Sequence, residues 1–286
     1  MNENASGQLV VVTGSSTGIG LATASRLAAA GFHVLAGVRR QADAERVSGP
    51  RIEPVILDVT DEQHLARLRE RVENDPSGRP LRAVVNNAGI AINAPVEALS
   101  LADWRRQFEV TVFGQVAVIQ ALLPSLLSSR GRVVNIGSVG SRVAMPSFGA
   151  YSGAKYAMDA VSDALRREVA SLGVKVVIVT PGAVKTSLTE RGLEEADRVA
   201  ATMTEQQRSR YGPLMRAYRE TVQGWARDGA EPAAVAAVVE TAITAGRPRT
   251  RYTVGRDAGF MVPVSRLVPD RVLDQMVLGQ MKLPRR

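Results

Sequence analysis

The sequence has no cysteine and only two histidines among its 286 residues. The lack of cysteine excludes disulfide bonds and thiolate metal sites, and two histidines are too few for a typical metal centre. No metal site is therefore predicted. Aromatic residues make up 4% of the chain, which argues against a surface that stacks nucleic-acid bases. No uninterrupted run of about 18 apolar residues occurs, so a membrane-spanning helix is not expected.

The composition is that of one folded unit. Hydrophobic residues make up 45% of the chain, which is enough for a core, and α/β chains of this length commonly form a single domain. We expect residues 1–286 to form that domain, with residues 1–7 flexible. The segment MNENASGQ has neither a basic start nor an apolar stretch, and we expect a cytoplasmic protein.

Short apolar segments alternate with helical patterns along most of the chain. Candidate strands lie near residues 8–13, 32–38, 52–58, 81–86, 131–137, 174–179 and 251–255. Candidate helices fill the intervals, among them 61–73, 111–128, 151–170 and 231–245. The alternation predicts an α/β fold: a doubly wound, Rossmann-type parallel sheet of about seven strands with helices on both faces. Residues 187–230 interrupt it with a polar, helical pattern.

A glycine-rich turn follows the first candidate strand. Its residues are Gly14, Ser15, Ser16, Thr17, Gly18, Ile19 and Gly20, and a helical stretch comes next. Glycines let the backbone approach phosphate groups, and the N-terminus of a helix presents free N–H groups to them. The order of strand, turn and helix therefore predicts a dinucleotide site, although G-x-x-x-G-x-G differs from the commoner spacing G-x-G-x-x-G.

Tyr151 and Lys155 are four residues apart, and Ser138 precedes the tyrosine by thirteen residues. On a helix, this spacing puts the phenol and the ammonium on one face. A cation beside a phenol favours the phenolate and lowers the phenol pKa toward the working range of an acid–base catalyst. Ser138 can hydrogen-bond the same substrate oxygen. The spacing alone fits an ordinary surface pair equally well, and both interpretations stay open at this point.

In their order along the chain, these motifs resemble the short-chain dehydrogenase/reductase family. The matching pieces are residues 13–20, Asp58, Asn86-Asn87-Ala88-Gly89, Ser138, Tyr151-x-x-x-Lys155 and Pro181-Gly182-x-x-x-Thr186. Residues 137–188 are most similar to the 17β-hydroxysteroid and retinol dehydrogenase branch. The resemblance implies hydride transfer between a nicotinamide cofactor and a carbon that carries a hydroxyl or carbonyl. It also implies that Tyr151 transfers the proton, Ser138 holds the oxygen, and Lys155 lowers the pKa of the tyrosine while binding the nicotinamide ribose.

The resemblance assigns further cofactor contacts. The turn at residues 14–20 would bind the pyrophosphate, Asp58 the adenine, and Thr186 the nicotinamide carboxamide. The other expected contacts are Val59, Asn87, Ala88, Gly89, Pro181, Gly182 and Val184.

The end of the second candidate strand indicates which cofactor is used. Enzymes that use NAD have an acidic residue there, which binds the ribose 2′-hydroxyl. Val38 occupies this position, and Arg39 and Arg40 follow it. A guanidinium can bind a 2′-phosphate through paired hydrogen bonds. We therefore predict NADP(H) over NAD(H), with Arg39 as the main contact and Arg40 as the second; the alternative is an ordinary pair of surface arginines.

One position departs from the family pattern. The family usually has an asparagine in a stretch resembling V-N-x-x-G, where it holds a water of the proton relay behind the lysine. Residues 110–114 read VTVFG, so Thr111 stands in that position. A threonine hydroxyl can also hold a water, but it reaches less far and has one donor in place of two. Thr111 is therefore a catalytic candidate with a weaker hold on that water.

The expected substrate pocket is apolar and suits a lipophilic alcohol, ketone or aldehyde. Its candidate lining residues are Ile92, Val139, Val143, Met145, Phe148 and Leu188, several of which would serve equally well in a core. By resemblance, residues 187–230 cover the substrate. The competing hypothesis is a non-catalytic NADP(H)-binding sensor or scaffold, against which the intact Ser138, Tyr151 and Lys155 argue.

The C-terminal extension, residues 256–286, is apolar and rich in arginine, and the whole chain has a net charge of +8. Three roles stay open for it. It could close the pocket, pack against another subunit of a homodimer or homotetramer, or make peripheral contact with a membrane surface. No nucleic-acid partner is expected.

Overall fold

Seven parallel strands form one sheet in the computed structural model, which describes residues 7–284. The strands are β1 (Leu9–Val12), β2 (His33–Val38), β3 (Ile52–Ile56), β4 (Leu81–Asn86), β5 (Arg132–Ile136), β6 (Lys175–Pro181) and β7 (Arg251–Val254). Their order across the sheet is β3-β2-β1-β4-β5-β6-β7. The predicted doubly wound α/β fold is therefore confirmed. Strand order reverses between β1 and β4, and sheets of this kind bind ligands beyond the carboxyl ends of the strands at that point. The flexibility predicted for the first residues falls, except at Gly7, outside the described residues.

The helices lie in the intervals between the strands and after β7. They are α1 (Gly18–Ala29), α2 (Gln41–Val47), α3 (Glu62–Glu73), α4 (Leu101–Phe108), α5 (Gly114–Ser129), α6 (Gly149–Glu168), α7 (Ser187–Thr202), α8 (Glu205–Asp228), α9 (Pro232–Thr244), α10 (Arg256–Val264) and α11 (Asp270–Gln280). Helices α7 and α8 form the segment that interrupts the alternation, and α10 and α11 form the C-terminal extension.

The two faces of the sheet bury separate cores. Along β1, Val10 and Val12 contact the cluster that includes α1 and α9, whereas Leu9 and Val11 contact the cluster that includes α3 and α5. This division follows from strand geometry, since successive side chains point to opposite faces. Every residue of β1 is buried, as expected for a parallel sheet covered on both sides.

The helix predicted over residues 111–128 has a different start and an irregular centre. Helix α4 begins at Leu101, a π-helical turn covers Glu109–Phe113, and α5 continues to Ser129. One extra residue in the turn shifts the apolar period, so the sequence pattern shows only the later half clearly. The whole segment Leu101–Ser129 is long and apolar enough to cross a membrane by length and composition. Its α5 part buries Val118, Leu122 and other side chains in the core, and this packing accounts for the composition.

Candidate active site

The glycine-rich turn and the end of β4 are held together at the switch point. The Asn87 side-chain nitrogen donates to the carbonyls of Thr13 and Gly14, each at 3.0 Å. The Thr13 hydroxyl accepts from the backbone N–H of Ala88 at 2.9 Å. A Cβ atom on Gly20 would lie 2.2 Å from the Gly14 carbonyl oxygen, so no side chain fits there. The bare backbone beside the N-terminus of α1 is the cradle that a pyrophosphate needs.

Some residues of the glycine-rich turn fix its conformation by hydrogen bonds, and others are partly exposed. Ser15 is buried, and its N–H and hydroxyl bind the backbone carbonyls of β2 and β1, both at 2.8 Å. The Thr17 hydroxyl lies 2.7 Å from that of Ser187, which links the turn to the start of α7. Ser16 and Ile19 are partly exposed. Contacts between the turn and a cofactor remain a prediction.

Ser138, Tyr151 and Lys155 line one cavity at the carboxyl end of the sheet. Ser138 lies two residues after the end of β5 and caps a short 3₁₀ turn, while Tyr151 and Lys155 lie one helical turn apart in α6. The Lys155 ammonium donates to the Ile136 carbonyl at 2.8 Å and lies 6.0 Å from the centre of the Tyr151 ring. The structure thus brings together three groups that are separated by a strand end, a loop and a helix turn.

Burial dominates the electrostatics of this triad. It raises the pKa of the Tyr151 phenol, and the Ser138 hydroxyl opposes the rise only in part. The pKa of Lys155 is lowered to about 8 by burial, while the charge of Asp159 acts in the opposite direction. Lys155 is therefore mostly charged at pH 7. The lowered pKa expected for Tyr151 is not seen, because the ammonium donates to a backbone carbonyl and the phenol is desolvated. A protonated phenol suits the donation of a proton to a carbonyl oxygen.

A buried ion cluster is centred on Asp159, which lies in the same helix as Lys155. Asp159 is 5% exposed and pairs with Arg142 and Arg251, both at 2.8 Å. It also accepts a hydrogen bond from Ser141 at 3.1 Å. Asp159 lies one turn after Lys155 in α6, so the cluster connects β7 and the loop after Ser138 to the helix that carries Tyr151 and Lys155.

The cavity wall is largely apolar, and five of the six predicted substrate residues belong to it. These are Val139, Val143, Met145, Phe148 and Leu188. The prediction for Ile92 is wrong. Its side chain is fully buried in a core cluster with Leu99 and Ala150, because its backbone N–H is fixed by the side chain of Gln107 at 2.9 Å.

Helix α8 contributes wall residues that sequence reasoning missed. Tyr218 and Trp225 pack on the ring of Phe148, with centroid distances of 5.2 and 5.5 Å. Phe148 in turn lies edge-on to Tyr151 at 6.5 Å. Three aromatic residues, in a chain that has few, thus lie on the side of Tyr151 that Phe148 covers. The sequence positions of Tyr218 and Trp225 do not indicate that they line the cavity, because α8 is brought to the cavity by tertiary packing.

Comparison with known proteins identifies the family. Residues 8–197 match the family model described as short chain dehydrogenase. The chain is a short-chain dehydrogenase/reductase. Retinol dehydrogenase 5 of Mus musculus is 35% identical over 282 residues, covering 96% of this chain and 88% of the relative. The NADPH-dependent 3-dehydrocapnine reductase of Ornithobacterium rhinotracheale is 31% identical over 280 residues, covering 95% and 96%. The predicted family and its retinol dehydrogenase branch are confirmed.

Solved structures confirm the fold of this dehydrogenase. A short chain dehydrogenase from Burkholderia cenocepacia J2315 in complex with NADP has a TM-score of 0.74 at 24% identity and covers 98% of this chain and 99% of its own. One from Burkholderia phymatum in complex with NAD has a TM-score of 0.77 at 21% identity and covers 99% and 97%. The two hold different cofactors, so the fold does not decide the cofactor preference of the dehydrogenase.

Arg39 and Arg40, which follow β2, differ in their contacts. Val38 is buried at the strand end, and Arg39 and Arg40 are exposed. Arg40 caps α2 and forms two hydrogen bonds with Asp43, at 2.8 and 3.1 Å. Across residues 7–284, the Arg39 side chain makes no hydrogen bond or ion pair, so its guanidinium is available to a ligand. This geometry favours Arg39 over Arg40.

The remaining adenine-side candidates lie at the end of β3 and beside β4. One oxygen of Asp58 accepts from the N–H and the hydroxyl of Thr60, at 3.0 and 2.7 Å, which fixes the carboxylate. Val59 is buried and packs on the backbone of Gly114, so only its main chain can reach a ligand. Gly89 lines the active-site cavity.

Thr111 is fully buried inside the π-helical turn Glu109–Phe113. Its hydroxyl accepts a hydrogen bond from the side chain of Gln107 at 2.8 Å. Gln107 also donates to the Ile90 carbonyl at 3.0 Å, so it is fully engaged. The helix is therefore distorted even without the family asparagine, and the Thr111 hydroxyl has its proton and one lone pair left for a water.

Thr111→Val tests the hydroxyl in isolation, since it keeps the branched shape. We expect kcat to fall about fivefold, the size of one lost hydrogen bond of about 1 kcal/mol. Thr111→Asn should leave kcat unchanged or raise it, because the amide has two donors. Steady-state rates at saturating cofactor and thermal unfolding of both variants decide the point. A Thr111→Val enzyme with full activity would remove Thr111 from the catalytic candidates.

Asp257, at the start of α10, connects the C-terminal extension to the loop after β6. Its carboxylate accepts from the backbone N–H of Ala183 at 2.7 Å. A Cβ atom on Gly182 would lie 2.0 Å from the other carboxylate oxygen, so this contact needs glycine there. Met261 and Gln280 of the extension line the cavity as well. Of the three roles left open for the extension, this geometry favours closure of the pocket.

Asp257→Ala should weaken cofactor binding by about tenfold, because a charge-assisted hydrogen bond contributes about 1.5–3 kcal/mol and here fixes the loop after β6. Asp270→Ala, which removes an exposed carboxylate at the start of α11, is the matched control and should have no effect. Fluorescence titration of NADPH into the three proteins measures the change. Equal dissociation constants for Asp257→Ala and wild type would contradict the role of this contact.

Proposed function

We propose that this dehydrogenase interconverts a lipophilic alcohol and the corresponding ketone or aldehyde, with NADP(H) preferred over NAD(H). One observation carries the proposal. Ser138, Tyr151 and Lys155 meet at the wall of a cavity that is otherwise mostly apolar. A few polar groups converging on an apolar cavity orient a reacting oxygen and leave the rest of the ligand to hydrophobic contact. The relation to retinol dehydrogenase 5 supports this substrate class.

The preference for NADP(H) rests on charge at the end of β2. Val38 provides no carboxylate to bind a 2′-hydroxyl or repel a 2′-phosphate, and Arg39 is exposed beside it. The relative named as an NADPH-dependent reductase is consistent with this choice. The glycine cradle fits a dinucleotide, since a Cβ atom at Gly20 would collide with the turn.

Ser138, Tyr151 and Lys155 each have a separate role in the proposed reaction. The cofactor, when bound, supplies or accepts the hydride. In the direction of reduction, Tyr151 donates its proton to the substrate oxygen, and its raised pKa keeps that proton in place at neutral pH. Ser138 holds the same oxygen by a hydrogen bond, and the charge of Lys155 stabilises the phenolate that remains. In the direction of oxidation, the phenolate accepts the proton.

A panel of ketones tests this function. We expect NADPH oxidation with aryl alkyl ketones, and kcat/KM should rise with the length of the alkyl chain. NADH should support slower turnover. Binding of NADPH without turnover of any ketone or aldehyde would instead favour the non-catalytic sensor or scaffold. Preference for small, hydrophilic ketones would contradict the lipophilic substrate class.

We also propose that the protein is a cytoplasmic homo-oligomer, a dimer or tetramer. Phe260 is 59% exposed and Leu267 is 83% exposed on the C-terminal extension, where arginines are also frequent. A contact with another subunit would cover these apolar side chains. Analytical ultracentrifugation of wild type and Leu267→Gln tests subunit contact, and sedimentation with anionic vesicles tests the alternative of a membrane surface.

A further inference from the structure

The carboxylate of Asp159 lies on the same face of α6 as Lys155. Asp159 follows the lysine by four residues and is 5% exposed. Side chains four positions apart on a helix are neighbours. Burial lowers the pKa of Lys155 to about 8, and the negative charge of Asp159 opposes this decrease. The carboxylate is therefore one of the groups that decide how much of the lysine is charged.

Asp159 also contacts the turn that carries Ser138. Its Oδ2 pairs with Arg142 at 2.8 Å and lies 3.1 Å from the Ser141 hydroxyl. The same hydroxyl donates to the Ser138 carbonyl at 2.7 Å. A Cβ atom on Gly137 would lie 3.5 Å from Oδ1 of Asp159. The carboxylate thus lies against residues that precede and follow Ser138 in the chain.

The carboxylate belongs to a cluster of charges that compensate one another. Arg251 of β7 pairs with Asp159 at 2.8 Å and with Asp163 at 2.9 Å. Asp163 also pairs with Arg166 at 3.3 Å. Loss of the Asp159 charge would leave guanidinium groups without their partner, close to Lys155. An unpaired positive charge disfavours a charged amine nearby.

The groups around Lys155 and Asp159 come from three parts of the fold. They are Tyr151, Tyr156 and Asp163 of α6, Ser138, Ser141 and Arg142 of the turn after β5, and Arg251 of β7. Burial raises the pKa of both tyrosines, so they are neutral at pH 8. Lys155 is therefore the group of this set that we expect to titrate near pH 8.

We propose that Asp159 is a positioning residue for the reaction: its carboxylate fixes the turn that carries Ser138, and its charge stabilises the Lys155 ammonium. The proposal rests on the proposed function, in which that ammonium stabilises the Tyr151 phenolate. A carboxylate with a structural role alone would fix the turn and leave the charge of the lysine unchanged. The two roles are therefore separable by experiment.

Titration of Lys155 measures its charge directly. The chain has four lysines, so protein labelled with ¹³C at lysine Cε gives few NMR signals, and Lys155→Met identifies the relevant one. In wild type we expect a transition near pH 8. In Asp159→Asn the transition should lie lower by about 1 pH unit, because the amide has the same shape and no charge to favour the ammonium.

Three further variants separate charge from structure. Arg142→Met breaks the same ion pair but removes a positive charge, so Lys155 should titrate at a higher pH than in wild type. Asp159→Glu keeps the charge and should restore a transition near that of wild type. Asp163→Asn removes an equal charge one helical turn further along α6 and is the matched control, with less than half the shift of Asp159→Asn. A structural role alone predicts no opposite shifts in Asp159→Asn and Arg142→Met.

The pH dependence of kcat extends the test to the reaction. Ketone reduction needs the charged amine, so kcat should fall as the pH rises through the Lys155 transition. A transition about 1 pH unit lower reduces the charged fraction at pH 8 from about half to about a tenth. The kcat of Asp159→Asn at pH 8 should therefore be about fivefold lower than that of wild type, and the difference should be smaller at pH 6.

The outcomes distinguish this inference from the proposed function. Opposite shifts in Asp159→Asn and Arg142→Met support the role of Asp159 toward Lys155 even if no ketone is turned over, in which case the proposed function fails alone. An unchanged Lys155 titration in folded Asp159→Asn overturns the inference, and ketone turnover then leaves the proposed function standing. An active enzyme whose kcat does not follow the titration also overturns it. If circular dichroism shows that Asp159→Asn is unfolded, a Lys155 transition in Arg142→Met at or below the wild-type pH overturns it.

Discussion

Tyr151→Phe lowers kcat for the best ketone by at least about 100-fold, the lower end of the range for general acid–base catalysis. The substitution removes one hydroxyl and keeps the ring that packs against Phe148. Fold and cofactor binding should therefore be retained. Steady-state turnover and an NADPH titration, made on the same preparation, measure the two expectations separately.

Tyr156→Phe is the matched control, because Tyr156 lies in the same helix and is 41% exposed. The same atom is removed there from a residue outside the cavity lining, and activity should stay at the wild-type level. A Tyr151→Phe enzyme that reduces the ketone as fast as wild type would show that another group donates the proton.

Exchange of two residues at the end of β2 moves the cofactor preference toward NADH. Val38→Asp introduces a carboxylate that accepts from a 2′-hydroxyl and repels a 2′-phosphate, and Arg39→Leu removes the exposed guanidinium. Charge-assisted hydrogen bonds contribute about 1.5–3 kcal/mol, so kcat/KM for NADPH should fall by roughly 10–100-fold. The value for NADH should rise. Titration of both cofactors against wild type and the double variant measures the change.

Arg40→Leu is the control for charge alone, since Arg40 is already paired with Asp43. It removes the same charge one residue further on and should have a smaller effect on NADPH than Arg39→Leu. A wild-type protein that binds NADH more tightly than NADPH would overturn the assignment of the cofactor.

The fold was predictable because its signals are local. Apolar strand segments, the glycine-rich turn and a cap such as Asp61, which accepts from two N–H groups at the start of α3, are all short-range features. All seven candidate strands appear, with ends that differ by a few residues. The ordered motifs added long-range information, since the family pattern implies that Ser138 meets Tyr151 before any contact is known.

The parts of the site that sequence reasoning missed depend on tertiary contacts. Tyr218 and Trp225 reach Phe148 through the packing of α8, and Asp257 meets Ala183 across 74 positions of sequence. Neither pairing has a periodic signature. Ile92 is the opposite case: it was predicted to line the cavity but lies in a core cluster. An apolar side chain fits either environment, so the sequence alone cannot distinguish them.

The direction in which the pKa of Tyr151 shifts could not be predicted from the sequence either. The i, i+4 spacing predicts that Lys155 lies near Tyr151, and this is confirmed by their common cavity. Burial of both groups is a property of the assembled fold, and its effect on the pKa of Tyr151 outweighs that of the serine hydroxyl.

Transfer of deuterium from NADPH that carries deuterium at both C4 positions of the nicotinamide is the most direct test of hydride transfer at this site. Wild-type protein, labelled cofactor and the best lipophilic ketone are incubated, and the alcohol is analysed by mass spectrometry. We expect one deuterium on the carbinol carbon of each product molecule and loss of nearly all product with Tyr151→Phe. Tight binding of NADPH with no deuterated alcohol from any ketone or aldehyde would contradict the assignment of Ser138, Tyr151 and Lys155 as a working catalytic site.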